Sequence, residues 1–224
     1  MPLDIDIFGQ GIYSPRQAAR LVGGSAQEIR RWTRGSGPSE PLWNAYYQDF
    51  DDTAELSFSD LIEVRAVKAF KQEGLTTQAI RFAINFAREQ LGVERPLSTL
   101  DFKTDGQEIL TDAAEKDGEL ISLAKARAGQ KVFAKIVKQS VKDLEYEEDR
   151  AARWRPHRTR DVIVDPKRQF GAPILDEFGI STSMLHEEYA RNSDARYLST
   201  IYDIPVKVIN EAIRFEEQLN KLNG

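Results

Sequence analysis

Residues 14–35 read SPRQAARLVGGSAQEIRRWTRG, two short helices joined by a glycine turn. Ser14 is an N-cap residue, Pro15 suits the first helical position, and Gln17 completes a capping box. Ala18, Leu21 and Val22 recur at helical spacing, so this helix has one apolar face. Gly23-Gly24 breaks it. Ser25 opens a second helix, with Glu28 three residues on as a second capping box. Ile29 and Trp32 point inward there, while Gln27, Arg30, Arg31 and Arg34 share the outer side. Guanidinium and amide groups pair with base edges and phosphates, so the pattern predicts a helix–turn–helix whose second helix enters a major groove. An ordinary αα-hairpin with a solvated basic face has the same pattern.

The surrounding 224 residues carry 31 Lys and Arg against 36 Asp and Glu, a formal net charge of −5, which argues against indiscriminate nucleic-acid binding. The basic charge is local: residues 14–35 hold Arg16, Arg20, Arg30, Arg31 and Arg34 against Glu28 alone. Arg16 therefore joins Gln27, Arg30, Arg31 and Arg34 as an expected DNA contact. Without cysteine the chain has neither disulfides nor thiolate metal sites, which fits an intracellular, cytoplasmic setting. No apolar run approaches the roughly 18 residues of a membrane span, and no basic-then-apolar signal peptide opens the chain.

Residues 1–13 read as a short extended lead-in. After Gly35, Leu42 to Tyr47 and Leu56 to Phe58 suggest the two strands of a small hairpin around an Asp51-Asp52 turn. A hairpin at that place is the wing of a winged helix–turn–helix. Tyr46 or Tyr47 would then touch the DNA backbone, or both would pack on the core. Ser57 and Asp60 cap a helix whose Leu61, Val64, Val67 and Phe70 form one stripe, ended by Gly74. A helix over QAIRFAINFAREQL follows. Its Ile80/Ile84 and Phe82/Phe86 pairs make it apolar on more than one side, as if a symmetry mate covered the second.

YSPRQAARLVGGSAQEIRRWTRG, LSFSDLIEVRAVKAF and KQEGLTTQAIRFAI together resemble the DNA-binding domain of MerR-like regulators, over roughly residues 11–95. The resemblance implies a two-helix reader, a wing and a following helix pair. The long coiled coil usual in that family is not continued here, since no sustained heptad follows Pro96.

Residues 96–161 read as a mixed α/β middle. LDFKTDGQEIL contains the Asp-Gly of a type I′ hairpin between short strands. KVFAKIVKQSVKDL reads as an amphipathic helix with Lys131, Lys135, Lys138 and Lys142 on its wet side. EYEEDRAARWRPHRTRDVIVDP reads as strands in which an acidic segment gives way to Arg150, Arg153, Arg155, Arg158 and Arg160.

Beyond residue 162 come a Phe-Gly-x-Pro turn, an Ile-x-Thr cap before a helix, and a Tyr-Asp-Ile-Pro turn into a last helix. This stretch, about residues 162–219, resembles the small domain of unknown function common in bacterial antitoxins of the VapB kind. Glu177-Phe178-Gly179 stands where members usually carry Gly-Thr-Arg. Asp194 to Tyr202 followed by a helix opened by Pro205 forms a second helix–turn–helix. Its outer side carries Glu211, Glu216 and Glu217 beside Lys207 and Arg214, and carboxylates there repel phosphate. Structural or partner-binding use is the expectation for this unit.

The fold expected is mainly α with small β elements, in three parts: a MerR-like winged helix–turn–helix over 1–95, the middle over 96–161, and an antitoxin-type helical part over 162–224. His157 and His186 match no metal-site spacing, no phosphate-cradling loop or nucleophile elbow is present, and neither cofactor, metal nor catalysis is expected. The two resemblances together imply a DNA-binding antitoxin that represses its own operon as a homodimer and neutralises a PIN-like ribonuclease toxin. The alternatives are a one-component regulator whose middle region senses a small effector, and an excisionase-like architectural DNA binder. PIN-like enzymes hold metal in a carboxylate cluster, as the resemblance implies, so an inserted arginine would plug such a site. Arg153, Arg155, Arg158 and Arg160 are the candidates, with Trp154 and Pro156 stiffening the segment. The same arginines could instead pair across a β-ribbon with Glu145, Glu147 and Glu148, or contact operator phosphate.

Overall fold

The computed structural model of the chain describes residues 9–49, 52–118, 120, 122, 130–156 and 159–221. Residues 1–8 of the lead-in, Asp51, His157 and Arg158 lie outside the described residues. Among the described residues there are nine α-helices and a small antiparallel sheet, so the chain is mainly helical with small β elements. No helix is long and apolar enough to cross a membrane.

Helices α1 (Pro15–Val22) and α2 (Ala26–Arg34) are held at their starts by the capping boxes of Ser14/Gln17 and Ser25/Glu28. Helix α3 (Phe58–Gln72) runs beneath them. Its Leu61, Val64, Val67 and Phe70 are fully buried, and so are Ile62 and Ala66 beside that stripe. Helix α4 (Thr77–Leu91) ends at Gly92, which takes the left-handed conformation expected of a C′ glycine.

The expected wing is replaced by an irregular loop. Tyr46–Asp49 form a single 3₁₀ turn, and Leu56 pairs with Tyr13 rather than with Leu42–Tyr47. Leu42, Trp43 and Tyr47 are instead buried against the helices, so the hydrophobic effect outweighs their strand propensity.

The Asp105-Gly106 hairpin is likewise replaced, by helix α5 (Leu100–Ala114), whose N-cap Thr99 accepts from the Phe102 amide at 3.1 Å. Gly106 lies in the helix interior because α5 packs closely there. A Cβ at this position would sit 3.0 Å from the Phe102 ring and 3.1 Å from Val137. Helix α5 also packs on α4. Helix α6 (Gln130–Val141), the expected amphipathic helix, packs on both α3 and α5.

Strands β1 (Leu144–Glu147), β2 (Arg150–Trp154), β3 (Val162–Val164) and β4 (Pro173–Leu175) form the sheet in chain order, every pair antiparallel. Helices α7 (Thr182–Asn192), α8 (Ala195–Tyr202) and α9 (Val206–Lys221) follow. Asp194, expected as the first residue of α8, is its N-cap, and α9 begins at Val206, one residue after the Pro205 expected to open it. One cluster of buried side chains runs from Tyr13 to Leu219.

Candidate nucleic-acid interface and arginine ribbon

The two-helix unit is built from its caps inward. Ser14 Oγ accepts from the Gln17 amide at 3.2 Å and Ser25 Oγ from the Glu28 amide at 3.1 Å, while Gln17 and Glu28 return bonds to the cap amides. These bonds satisfy N–H groups that a helix start leaves unpaired. Ala18, Leu21, Ile29 and Trp32 are buried between α1, α2 and the core. At about 100° per residue, burial of Ile29 and Trp32 turns Gln27, Arg30 and Arg31 outward, and all three are exposed. Nine residues of α2 span about 13 Å, close to the width of a B-DNA major groove. Among the described residues, neither Arg30 nor Arg31 has an ion pair. Arg16 is exposed on α1.

Two other expected DNA contacts are engaged within the protein. Arg34 donates to the Thr53 carbonyl at 2.8 Å and pairs with Asp52, bracing the loop that stands where a wing was expected. The Tyr46 ring lies 5.8 Å from the Arg95 guanidinium and edge-on to Tyr47 at 5.2 Å. Behind that loop is a hub that sequence reading does not isolate. The fully buried Asp60 accepts from the Trp43 indole and the Tyr46 amide at 2.9 Å each, from Ser57 Oγ at 2.8 Å, and from Arg95 at 2.6 Å. One turn on, Glu63 is also fully buried. Burial pushes its carboxyl up to about 8, although the Ser98 amide donates to it at 3.0 Å.

Arg153 of β2 and Arg155 just beyond it lie in a ladder of carboxylates. Glu145 faces Arg153 across β1 and β2, and its two oxygens take Arg153 at 3.0 Å and Arg155 at 2.7 Å. Arg153 also reaches Glu147 at 3.1 Å. Arg155 continues to Asp176 at 2.5 Å, which Arg168 meets from the other side at 2.8 Å. Burial alone would raise the Asp176 carboxyl, yet the two guanidiniums hold it below its ordinary value. Trp154 is buried, with the Arg65 guanidinium 5.0 Å above its ring. The Arg160 side chain is exposed, while its carbonyl accepts from Arg155 at 3.1 Å. Of the four candidate arginines, Arg153 and Arg155 make the cross-strand pairs with Glu145 and Glu147 that a β-ribbon implies.

The outer face expected of the last helix is corrected at two positions. Glu216 is buried and accepts from Arg20 of α1 at 2.6 Å and from the Thr182 hydroxyl. Glu211 turns back to accept the amides of Arg160 at 2.7 Å and Asp161 at 2.9 Å. Two of the three carboxylates read as a phosphate-repelling surface are thus structural, because donors from distant segments meet them there. Lys207, Arg214 and Glu217 remain exposed. Among the described residues no group of three or more His, Asp and Glu is placed to hold a metal.

This geometry defines a mainly helical chain with an outward basic helix on a capped two-helix unit and a charge-laddered sheet leading into a second such unit. No family model matches it. In sequence the chain is similar to the Mycobacterium tuberculosis protein "Putative antitoxin VapB45", 26% identical over 192 residues that cover 77% of this chain and 80% of that one. In structure it is similar to the crystal structure of Rv2018 from Mycobacterium tuberculosis, with a TM-score of 0.72 at 22% identity, over 92% of this chain and 99% of the other. The structural likeness establishes a shared fold.

Proposed function

We propose that this chain is the antitoxin of a toxin–antitoxin pair, which neutralises a PIN-like ribonuclease and represses its own operon by binding operator DNA as a homodimer. The observation that carries the proposal is the similarity to a protein named as an antitoxin across most of both chains. The DNA-binding half draws on α2, where Gln27, Arg30 and Arg31 form an exposed face of groove-sized length. The toxin-binding half draws on the C-terminal resemblance, with Arg160 the described candidate for insertion into an acidic metal pocket.

Two measurements test the halves separately. Co-expression with the product of the neighbouring reading frame is expected to restore growth and yield a stoichiometric complex. A neighbour that is harmless alone and does not co-purify would overturn the toxin half. Operator titration with the Arg30→Ala, Arg31→Ala double variant is expected to lose at least tenfold in affinity, since a bidentate arginine–guanine pair contributes about 1–3 kcal/mol. Parental affinity in that variant would remove α2 as the reader.

A further inference from the structure

The turn between α1 and α2 borders an open notch of about 370 Å³, lined by Gly23, Gly24, Ser25, Glu28, Trp32 and, from α3, Lys68 and Lys71. The Lys68 ammonium stands 2.6 Å from where a Cβ on Gly23 would lie, so this glycine leaves the space that the ammonium fills. Gly23 also has φ +72°, a conformation that favours glycine. Both lysines are half-buried, and among the described residues neither is in an ion pair. Burial pulls the Lys68 ammonium below its ordinary value, an effect that the nearby Glu28 carboxylate opposes. Glu28 itself is occupied by the Ser25 amide at 3.3 Å and the Ser25 hydroxyl at 3.1 Å.

The position of the notch on α2 identifies what it faces. At about 100° per residue, Glu28 lies on the flank of α2 about 60° from Arg31, and the inward-facing Trp32 lines the notch beyond it. A helix of about 10–12 Å diameter fills a major groove about 12 Å wide, which brings the bordering phosphate strand alongside its flank. Two cations on that flank meet phosphate oxygens rather than base edges. An approaching polyanion would add counter-charge to a half-buried ammonium whose neighbouring carboxylate, Glu28, is already held by Ser25.

We infer that Lys68 and Lys71, seated in the glycine notch, form a phosphate clamp that fixes the register of α2 on DNA without reading sequence. The inference rests on the proposed DNA binding by α2 and adds the residues that position it. The side of the helix is specified by the structure: the strand nearer α3, not the strand beyond Arg30.

The experiment uses the full chain with two duplexes, one enriched on the parent protein from a random library and one of unrelated mixed sequence, titrated from 50 to 200 mM salt. For Lys68→Gln, Lys71→Gln the log–log salt dependence is expected to fall by about two on both duplexes, at about 0.9 per phosphate contact. Affinity should drop by a similar factor for each, so the preference between them is kept. Lys68→Arg, Lys71→Arg is expected to retain the parental slope, and shows that loss in the first variant follows charge rather than folding. A parental slope in the glutamine variant overturns the clamp and leaves α2 as reader. A change in preference between the duplexes overturns it too, because the lysines would then be reading bases. If the parent binds neither duplex, the DNA-binding proposal and the clamp fall together.

Discussion

Arg20 on α1 and Glu216 on α9, 196 positions apart in sequence, meet through a 2.6 Å bond between guanidinium and carboxylate. The carboxylate is buried and shared with the Thr182 hydroxyl, and Arg20 also donates to Asn220 at 2.9 Å. Nearby, the Ile12 amide donates to the Phe170 carbonyl at 2.9 Å, and a Cβ on Gly171 would collide with the Tyr13 hydroxyl. The first helix of the proposed DNA reader is thus tied to the last helix of the chain.

Replacing Arg20 by Ala strands a buried carboxylate, which is expected to reduce stability by about 2–4 kcal/mol in urea unfolding. Glu216→Ala removes the acceptor of both Arg20 and Thr182 and should cost a similar amount. The double variant is expected to cost less than the sum of the two, with a coupling of at least 1 kcal/mol. Strict additivity would show that the pair contributes nothing beyond its separate residues.

The Asp60 hub gathers donors from the loop, from the cap of α3 and from Arg95. Asp60→Ala leaves them facing an empty carboxylate site and is expected to cost about 3–5 kcal/mol by denaturant titration. Asp60→Asn keeps the shape but points an NH₂ group at donors, so it should also destabilise, by about 2–3 kcal/mol. If Asp60→Asn is neutral, the site is satisfied by fewer bonds than the geometry shows.

Glu63 should leave a signature in pH dependence. Its carboxyl stands at about 8 when folded against an ordinary 4.5, so between those values the native state holds a proton that the unfolded chain has released. Its contribution is therefore full at low pH and declines as pH rises through this window, by a few kcal/mol in total. Glu63→Gln keeps the amide bond from Ser98 and removes the titration. The difference in unfolding free energy between parent and variant should change with pH from about 4.5 to about 8 and level off beyond. A pH-independent difference would mean that the side chain titrates normally.

Gly106→Ala separates helix propensity from packing. Propensity alone favours alanine inside α5 by about 1 kcal/mol. The new methyl, however, meets the Phe102 ring at 3.0 Å and Val137 at 3.1 Å, and both are core side chains with little room to move. Overpacking of this kind costs about 1–3 kcal/mol, so a net loss in thermal stability is expected. A stabilised variant would show that the α5–α6 contact yields.

The local features legible in the sequence were those whose cause is local. Ser14, Ser25 and Ser57 cap helices because an N-cap bond spans only two or three residues. The apolar stripe of α3 and the outward set Gln27, Arg30 and Arg31 follow from helical periodicity alone. The wing and the Asp-Gly hairpin were misread for one shared reason. Leu42, Trp43, Tyr47 and Gly106 carry strand or turn preferences worth about 1 kcal/mol or less, and core packing overrides preferences of that size.

What the sequence by itself determined is the mainly helical class, the ends of most helices, and a basic outward face on α2. These depend on spacing and capping within a few residues, which the order of side chains specifies directly. Only the tertiary structure decided which charges remain available. It paired Arg153 and Arg155 with Glu145, closed Glu216 onto Arg20 and turned Glu211 onto the Arg160 amide. It also set Lys68 beside Gly23. A charged side chain can be satisfied by any partner that the fold brings within about 3 Å, and that partner is fixed by packing across the whole chain rather than by its neighbours in sequence.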